Sequence, residues 1–116
     1  MKRGEIWKVH LDPTVGREQA GTRPALVLSV DEFNTSRADL IVVLPVTSKP
    51  RPLPSRVRVT PPEGGLARES WIICEQPRTI SRDRFGKRMR VVRPATLHAV
   101  EVVVSLLLGF PPPPAR

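Results

Sequence analysis

A chain of 116 residues provides for one domain with one modest core, and its 40% hydrophobic content excludes wholesale disorder. Nineteen Lys and Arg against eleven Asp and Glu leave a formal net charge of +8. That excess favours polyanions (nucleic acid, an anionic membrane or an acidic protein), although an Arg- and Pro-rich composition is also what a biased genome produces.

The opening residues, Met1-Lys2-Arg3-Gly4-Glu5, are charged, unlike the apolar core of a secretion signal. From Glu5 to Leu11, Trp7, Val9 and Leu11 alternate with Lys8 and His10, the period of a half-buried strand. Ala25 to Val30 and Leu40 to Val46 are continuous apolar runs suited to central strands. Arg56, Arg58 and Thr60 alternate with Val57 and Val59, which predicts a strand with one basic face. Trp71 to Glu75 and Lys87 to Val92 complete a set of about six strands. Cys74, the only cysteine, lies in the apolar stretch Trp71-Ile72-Ile73-Cys74 and reads as a buried structural thiol; no intramolecular disulfide is possible.

The next segment differs in period. Pro94 stands at a first helical position and Gly109 just past the end, while Leu97, Val100, Val104 and Leu107 or Leu108 recur at helical spacing. Val102-Val103-Val104 weigh mildly against a helix, but length and end signals favour it. The helix is apolar on more than one face, which predicts packing on the barrel and against a second subunit. The longest apolar run, Val102 to Leu108, is broken by Ser105 and too short to span a bilayer, so the reading is a soluble cytoplasmic protein without a membrane partner. Pro111 to Pro114 have no core to join, so residues 1–110 read as a single domain and 111–116 as a Pro-rich tail. Many short strands with one terminal helix predict a mainly β, strongly bent barrel.

Several chemistries lack their residues. His10 and His98 are the only histidines and with one cysteine do not make a zinc site; nothing around them supports an acid–base pair. Asp12, Asp31, Asp39 and Asp83 are isolated in sequence, and Glu32 beside Asp31 is a common loop pair, so no metal site is predicted. Gly16 and Gly21 have the wrong spacing for a phosphate-binding loop, Gly64-Gly65 reads as a turn, and no cofactor is predicted.

Two polar segments remain. Asp12 to Arg23 joins two strands by a long connection holding Arg17, Glu18, Gln19, Thr22 and Arg23. Arg23 precedes Pro24, which biases it to extended geometry at the mouth of the next strand, where its guanidinium offers a fork of donors to a phosphate. Pro45-Val46-Thr47-Ser48-Lys49 ends an apolar strand with two hydroxyls and an ammonium group. Either segment is equally well a solvated loop end.

These segments and their flanks resemble the MazF/PemK-type toxins. The resemblance runs through Lys2-Arg3-Gly4-Glu5-Ile6-Trp7, Leu11 to Pro24, Ala25 to Ser29 with Asp31, Phe33 and Asn34, Pro45-Val46-Thr47-Ser48, Gly65-Leu66 through Ser70-Trp71, and Glu75-Gln76-Pro77-Arg78-Thr79-Ile80-Ser81, roughly residues 2 to 108. Pro77, where an aliphatic residue is usual, departs from the pattern and removes a backbone donor. The resemblance implies an SH3-like (CcdB/MazF/PemK-type) β-barrel with a C-terminal helix, a homodimer, and a metal-independent endoribonuclease cutting single-stranded RNA to 2′,3′-cyclic phosphate and 5′-hydroxyl ends. It implies Arg23 and Thr47 as catalytic residues. Arg23 would be acid–base group or phosphate clamp, the latter preferred because a guanidinium stays protonated. Thr14, Arg17, Glu18, Gln19, Ser48, Gln76 and Arg78 would bind RNA. The implied partner is an acidic antitoxin whose disordered tail blocks the site, with Arg56, Arg58 and the Pro50–Pro54 loop as candidate contacts or ordinary basic surface. Two alternatives are weighed against this reading. A gyrase poison of the same fold lacks support because the Arg23-Pro24 and Pro45-to-Ser48 motifs belong to the nuclease pattern. A non-catalytic RNA-binding barrel lacks a stacking platform, since the chain has no Tyr, three Phe and two Trp.

Overall fold

In a computed structural model that describes residues 1–115, the chain alternates between short strands and tight connections until a single long helix ends it. The strands are β1 (Glu5–His10), β2 (Thr22–Val27), β3 (Leu40–Thr47), β4 (Arg56–Val59), β5 (Ser70–Ile73), β6 (Arg78–Ser81) and β7 (Phe85–Val91). The helices are α1 (Asp31–Asn34) and α2 (Pro94–Leu108), with 3-10 turns at Glu63–Gly65 and Arg82–Arg84. The mainly β fold with a C-terminal helix is the one the sequence predicts.

Seven strands are present among the described residues, against the expected set of about six. The additional strand, β6, falls in the segment noted above only for its motif, because just one of its residues, Ile80, is a buried apolar side chain. It gains its place by pairing with β3 from Leu40↔Ser81 to Val43↔Arg78. The second strand also starts and stops earlier than its apolar run, since Thr22 and Arg23 pair with His10 and Val9, while Asp31 opens α1.

The sheet runs β4-β5-β3-β2-β1-β7, with β6 also on β3, and among the described residues no ladder joins β4 to β7. The sheet is therefore left open between β4 and β7. The 3-10 turn at Glu63–Gly65 fills the seam, and its Gly64 sits so close to β1 that an added Cβ would lie 2.6 Å from Ile6 Cδ1. Its φ of +68° disfavours a side chain as well. Glu63 of the same turn accepts hydrogen bonds from the Arg93 backbone N–H (2.9 Å) and from the Arg93 guanidinium, which ties the seam to the start of α2.

The central strands read as continuous apolar runs because both faces are covered. Ile6, Leu26 and Leu44 are paired neighbours facing the cluster that includes Val46, Ile72, Cys74 and Val100. Val9, Ala25, Val27, Ile41 and Val43 face a second cluster with Leu11 and Ile80, against which Trp7 and Phe85 pack edge to face at 5.7 Å. Burial pushes the Cys74 thiol up to about 12, so it is an inert core group, as the sequence indicates.

Helix α2 has the predicted bounds. Pro94 occupies its first turn, and Gly109, at φ +78°, ends it while its N–H and that of Phe110 return to Leu106 and Ser105 carbonyls. Leu97, Val100, Val103 and Val104 pack on the barrel. Leu106, Leu107, Leu108 and Phe110 stay exposed, so the apolar stripe outruns the core by its last turn. Residues 110–115 form no helix or strand; Arg116, the last residue of the expected tail, lies outside the described residues. No helix among the described residues is long and apolar enough to cross a membrane.

Candidate functional site

The register of β2 on β3 brings the two polar segments together. Leu26 pairs with Leu44 and Ala25 with Pro45. Two residues further along each strand are Arg23 and Thr47, so extending the ladder places them opposite one another, on the same face. Both line a cleft of about 280 Å³, together with Arg17, Gln19, Lys49, Pro50, Arg51, Arg56 and Gln76. Five cationic side chains and no carboxylate form that lining. Such a cleft concentrates positive potential and favours an anion.

Each strand end holds its functional group by a local bond. The Arg23 Nε donates to the Ala20 carbonyl at 3.0 Å, which turns the guanidinium toward the loop that precedes β2. Thr47 is 4% exposed, and its Oγ1 accepts the Lys49 N–H at 3.1 Å. The hydroxyl proton is left to donate elsewhere. Arg56, on the cleft wall, is held by Glu75 through Nε and Nη2, both at 2.9 Å, and its side chain is only 5% exposed. Burial disfavours the charge on Glu75, but hydrogen bonds from Arg56 and Ser55 and the Arg56 charge outweigh it and lower its pKa. Arg56 thus enters the cleft wall with Glu75 balancing its charge. Arg58 is similarly paired with Glu69, though in solvent.

Of the residues named from the sequence, Arg17, Gln19 and Gln76 join Arg23 and Thr47 in this cleft. The remaining four do not. Ser48 lines a second cleft, of about 490 Å³. Thr14 lines neither cleft. Glu18 folds back so that its carboxylate accepts the Val15 N–H at 2.5 Å, and Arg78 donates from Nη2 to the Pro13 carbonyl at 3.2 Å.

The second cleft was not evident from the sequence. Arg23 is part of its lining as well, with Lys8, Arg68, Lys87, Arg88 and Arg90 around an apolar floor of Pro24, Val46, Leu66 and Met89. Arg23 thus stands where two basic clefts meet. The available signal was the run Lys87-Arg88 with Arg90 in β7, which carries charge where a sheet strand would usually carry core. No group of three or more His, Cys, Asp or Glu among the described residues is placed to hold a metal ion.

The model of the PemK-like, MazF-like toxin of type II toxin–antitoxin systems matches residues 2–108. Endoribonuclease PemK of Escherichia coli is 40% identical over 110 residues, covering 93% of this chain and 82% of that protein. The crystal structure of MazF from Deinococcus radiodurans superposes with a TM-score of 0.83 at 27% identity, covering 95% of this chain and 97% of the other. A MazE–MazF structure from the same organism gives a TM-score of 0.77 at 26% identity, covering 96% and 97%. The cleft that joins Arg23 to Thr47 therefore sits on a fold shared with these toxins, and the chain belongs to the PemK-like, MazF-like toxin family of type II toxin–antitoxin systems.

Proposed function

We propose that this toxin is an endoribonuclease that cuts single-stranded RNA by internal transesterification, without a metal, with Arg23 and Thr47 as its catalytic residues. The observation that carries the reading is the cleft itself: a guanidinium and a nearly buried hydroxyl on adjacent strand ends, walled by cations and by no carboxylate. The relatives named endoribonuclease support it.

In the reaction the ribose 2′-oxygen forms a bond to phosphorus as the bond from phosphorus to the 5′-oxygen breaks. The 2′-hydroxyl proton passes to water, and water protonates the departing 5′-oxygen. Products are a 2′,3′-cyclic phosphate and a 5′-hydroxyl. Charge grows on the non-bridging oxygens during this exchange. Two or three N–H donors of Arg23 and the Thr47 hydroxyl stabilise that charge, which is the larger part of what such a site contributes. A guanidinium that stays protonated serves better as this clamp than as a base. Arg17, Gln19, Lys49 and Arg51 hold flanking phosphates and base edges, and the second cleft continues the basic path on the other side of Arg23.

The same cations fit an acidic antitoxin segment that folds on binding, and MazE–MazF complexes among related structures support such a partner. A homodimer is part of the reading, through the exposed Leu106, Leu107, Leu108 and Phe110 at the end of α2. Residues 1–110 act as one domain, residues 111–116 as a tail, and the activity belongs in the cytoplasm with its substrate. Incubating the protein with mixed RNA in excess chelator tests the reading: discrete cuts with 5′-hydroxyl ends are expected, and RNA that stays intact contradicts it.

A further inference from the structure

We propose that Gln76 is a positioning residue that sets the Arg23 guanidinium through the loop between them, and does not read a base. The catalytic consequence rests on the nuclease reading above; the geometric claim does not.

The loop from Asp12 to Gly21 contains no helix or strand. It is closed at its base by Leu11 N–H to Gly21 O (2.9 Å), and inside it Glu18 bonds twice to Val15. An exposed segment with so few bonds of its own opens easily. Side chains from residues 76–84 grip it from outside. Arg84 Nη1 donates to the His10 carbonyl at 3.1 Å and to the Asp12 carbonyl, and Arg78 Nη2 donates to the Pro13 carbonyl. These hold the near end of the loop.

Gln76 holds the far end. Its Nε2 donates to the Arg17 carbonyl at 3.2 Å and its Oε1 accepts the Gln19 N–H at 3.0 Å. The amide thus uses one donor and one acceptor on residues two apart, as a neighbouring strand would. The next residue, Ala20, supplies the carbonyl that receives Arg23 Nε. Gln76 therefore fixes the Gln19–Ala20 segment, and that segment fixes the plane of the guanidinium. The amide keeps one N–H and one lone pair, but these diverge. A base edge that paired with Gln76 in bidentate fashion would therefore displace both loop bonds and release the Arg23 anchor at the moment it is needed. Pro77 fits this role: the residue after Gln76 makes no demand for a backbone donor in the turn.

The test uses full-length protein, Gln76→Ala, and Gln76→Met, which keeps most of the volume without the amide. Hydrogen exchange of the Arg23 Nε–H is followed by NMR on free protein, with the thermal midpoint recorded alongside. Exchange should quicken by about tenfold or more in both variants while the midpoint stays near wild type. Single-turnover cleavage should slow by about ten- to a hundredfold, as small misplacements of a catalytic group do. Affinity for an RNA made uncleavable by a 2′-deoxy sugar at the cut should stay within about threefold. Unchanged Arg23 exchange overturns the proposal, as does an affinity loss that matches the rate loss, because Gln76 would then grip RNA directly. If wild-type protein cuts no RNA, the nuclease reading fails, while the exchange measurement still decides whether Gln76 positions Arg23.

Discussion

Arg23 and Thr47 each lie two residues beyond the last β2–β3 pair, Ala25↔Pro45, and both line a single cleft. Thr47→Val keeps the shape and removes the hydroxyl. It should lower single-turnover cleavage by about tenfold to a thousandfold, the range for losing one donor to a developing oxyanion. Loss of the acceptor for the Lys49 N–H should destabilise the fold by only about 1 kcal/mol. Thr47→Ser should retain most activity, and cleavage by Thr47→Val at the wild-type rate would remove Thr47 from the catalytic account.

Arg17 and Arg51 line the cleft with no carboxylate among its walls. If each neutralises one phosphate, changing either to Ala reduces the slope of log affinity against log salt by about 0.7, the value for single strands. Filter binding with uncleavable RNA across a salt series reads this directly. An unchanged slope would place the strand elsewhere.

Glu75 is lowered from the ordinary 4.5 because Arg56 and Ser55 hydrogen bonds and the Arg56 charge outweigh its partial burial. Glu63 is lowered in the same sense, with burial again opposed by bonds from Thr96 and Arg93. A carboxyl depressed in the folded state contributes its full stabilisation above the unfolded value. The contribution is lost as pH falls through the folded one. Thermal midpoints should thus be flat near neutrality and fall once the pH drops below 4.5. Glu75→Gln should lower the plateau by about 1–3 kcal/mol, since it strips the buried Arg56 of its charged partner, and should flatten the acid limb. A parent and variant with parallel acid limbs would contradict this assignment.

The last turn of α2 leaves Leu106, Leu107 and Leu108 exposed, followed by Phe110. If that patch joins two copies, Leu107→Lys shifts the protein from dimer to monomer in sedimentation equilibrium, with the thermal midpoint of the monomer little changed. A dimer that persists in Leu107→Lys would move the interface elsewhere.

What the sequence makes legible follows from what each feature depends on. Helix α2 was readable to the residue because Pro94 and Gly109 mark its ends through backbone geometry alone. Central strands were readable because both their faces are buried, so Ile41, Val43, Leu44 and Val46 stand in one run. Strand β6 was hidden, since its pairing with Leu40 to Val43 is long-range and only Ile80 supplies an apolar cue. Arg23 and Thr47 were each visible as polar strand ends, but their meeting needs the β2–β3 register, which local sequence does not encode. The second basic cleft needs Lys8, Arg68 and Lys87 from three distant segments, and no local pattern announces such an assembly. The resemblance implies Glu18, Arg78 and Gln76 as RNA ligands; that each also bonds a backbone group of the 12–21 loop needs the tertiary structure to be seen.

Metal-independent cleavage through Arg23 is what the proposed function requires. The most direct measurement is single-turnover cutting of a mixed RNA in excess chelator, with end-group analysis, for wild type, Arg23→Lys and Arg23→Ala. Wild type should leave 5′-hydroxyl and 2′,3′-cyclic phosphate ends. Arg23→Lys, a point charge without the fork, should be slower, and Arg23→Ala should lose at least about a hundredfold. Cleavage that needs added metal, leaves 5′-phosphate ends, or survives in Arg23→Ala at the wild-type rate would contradict the account.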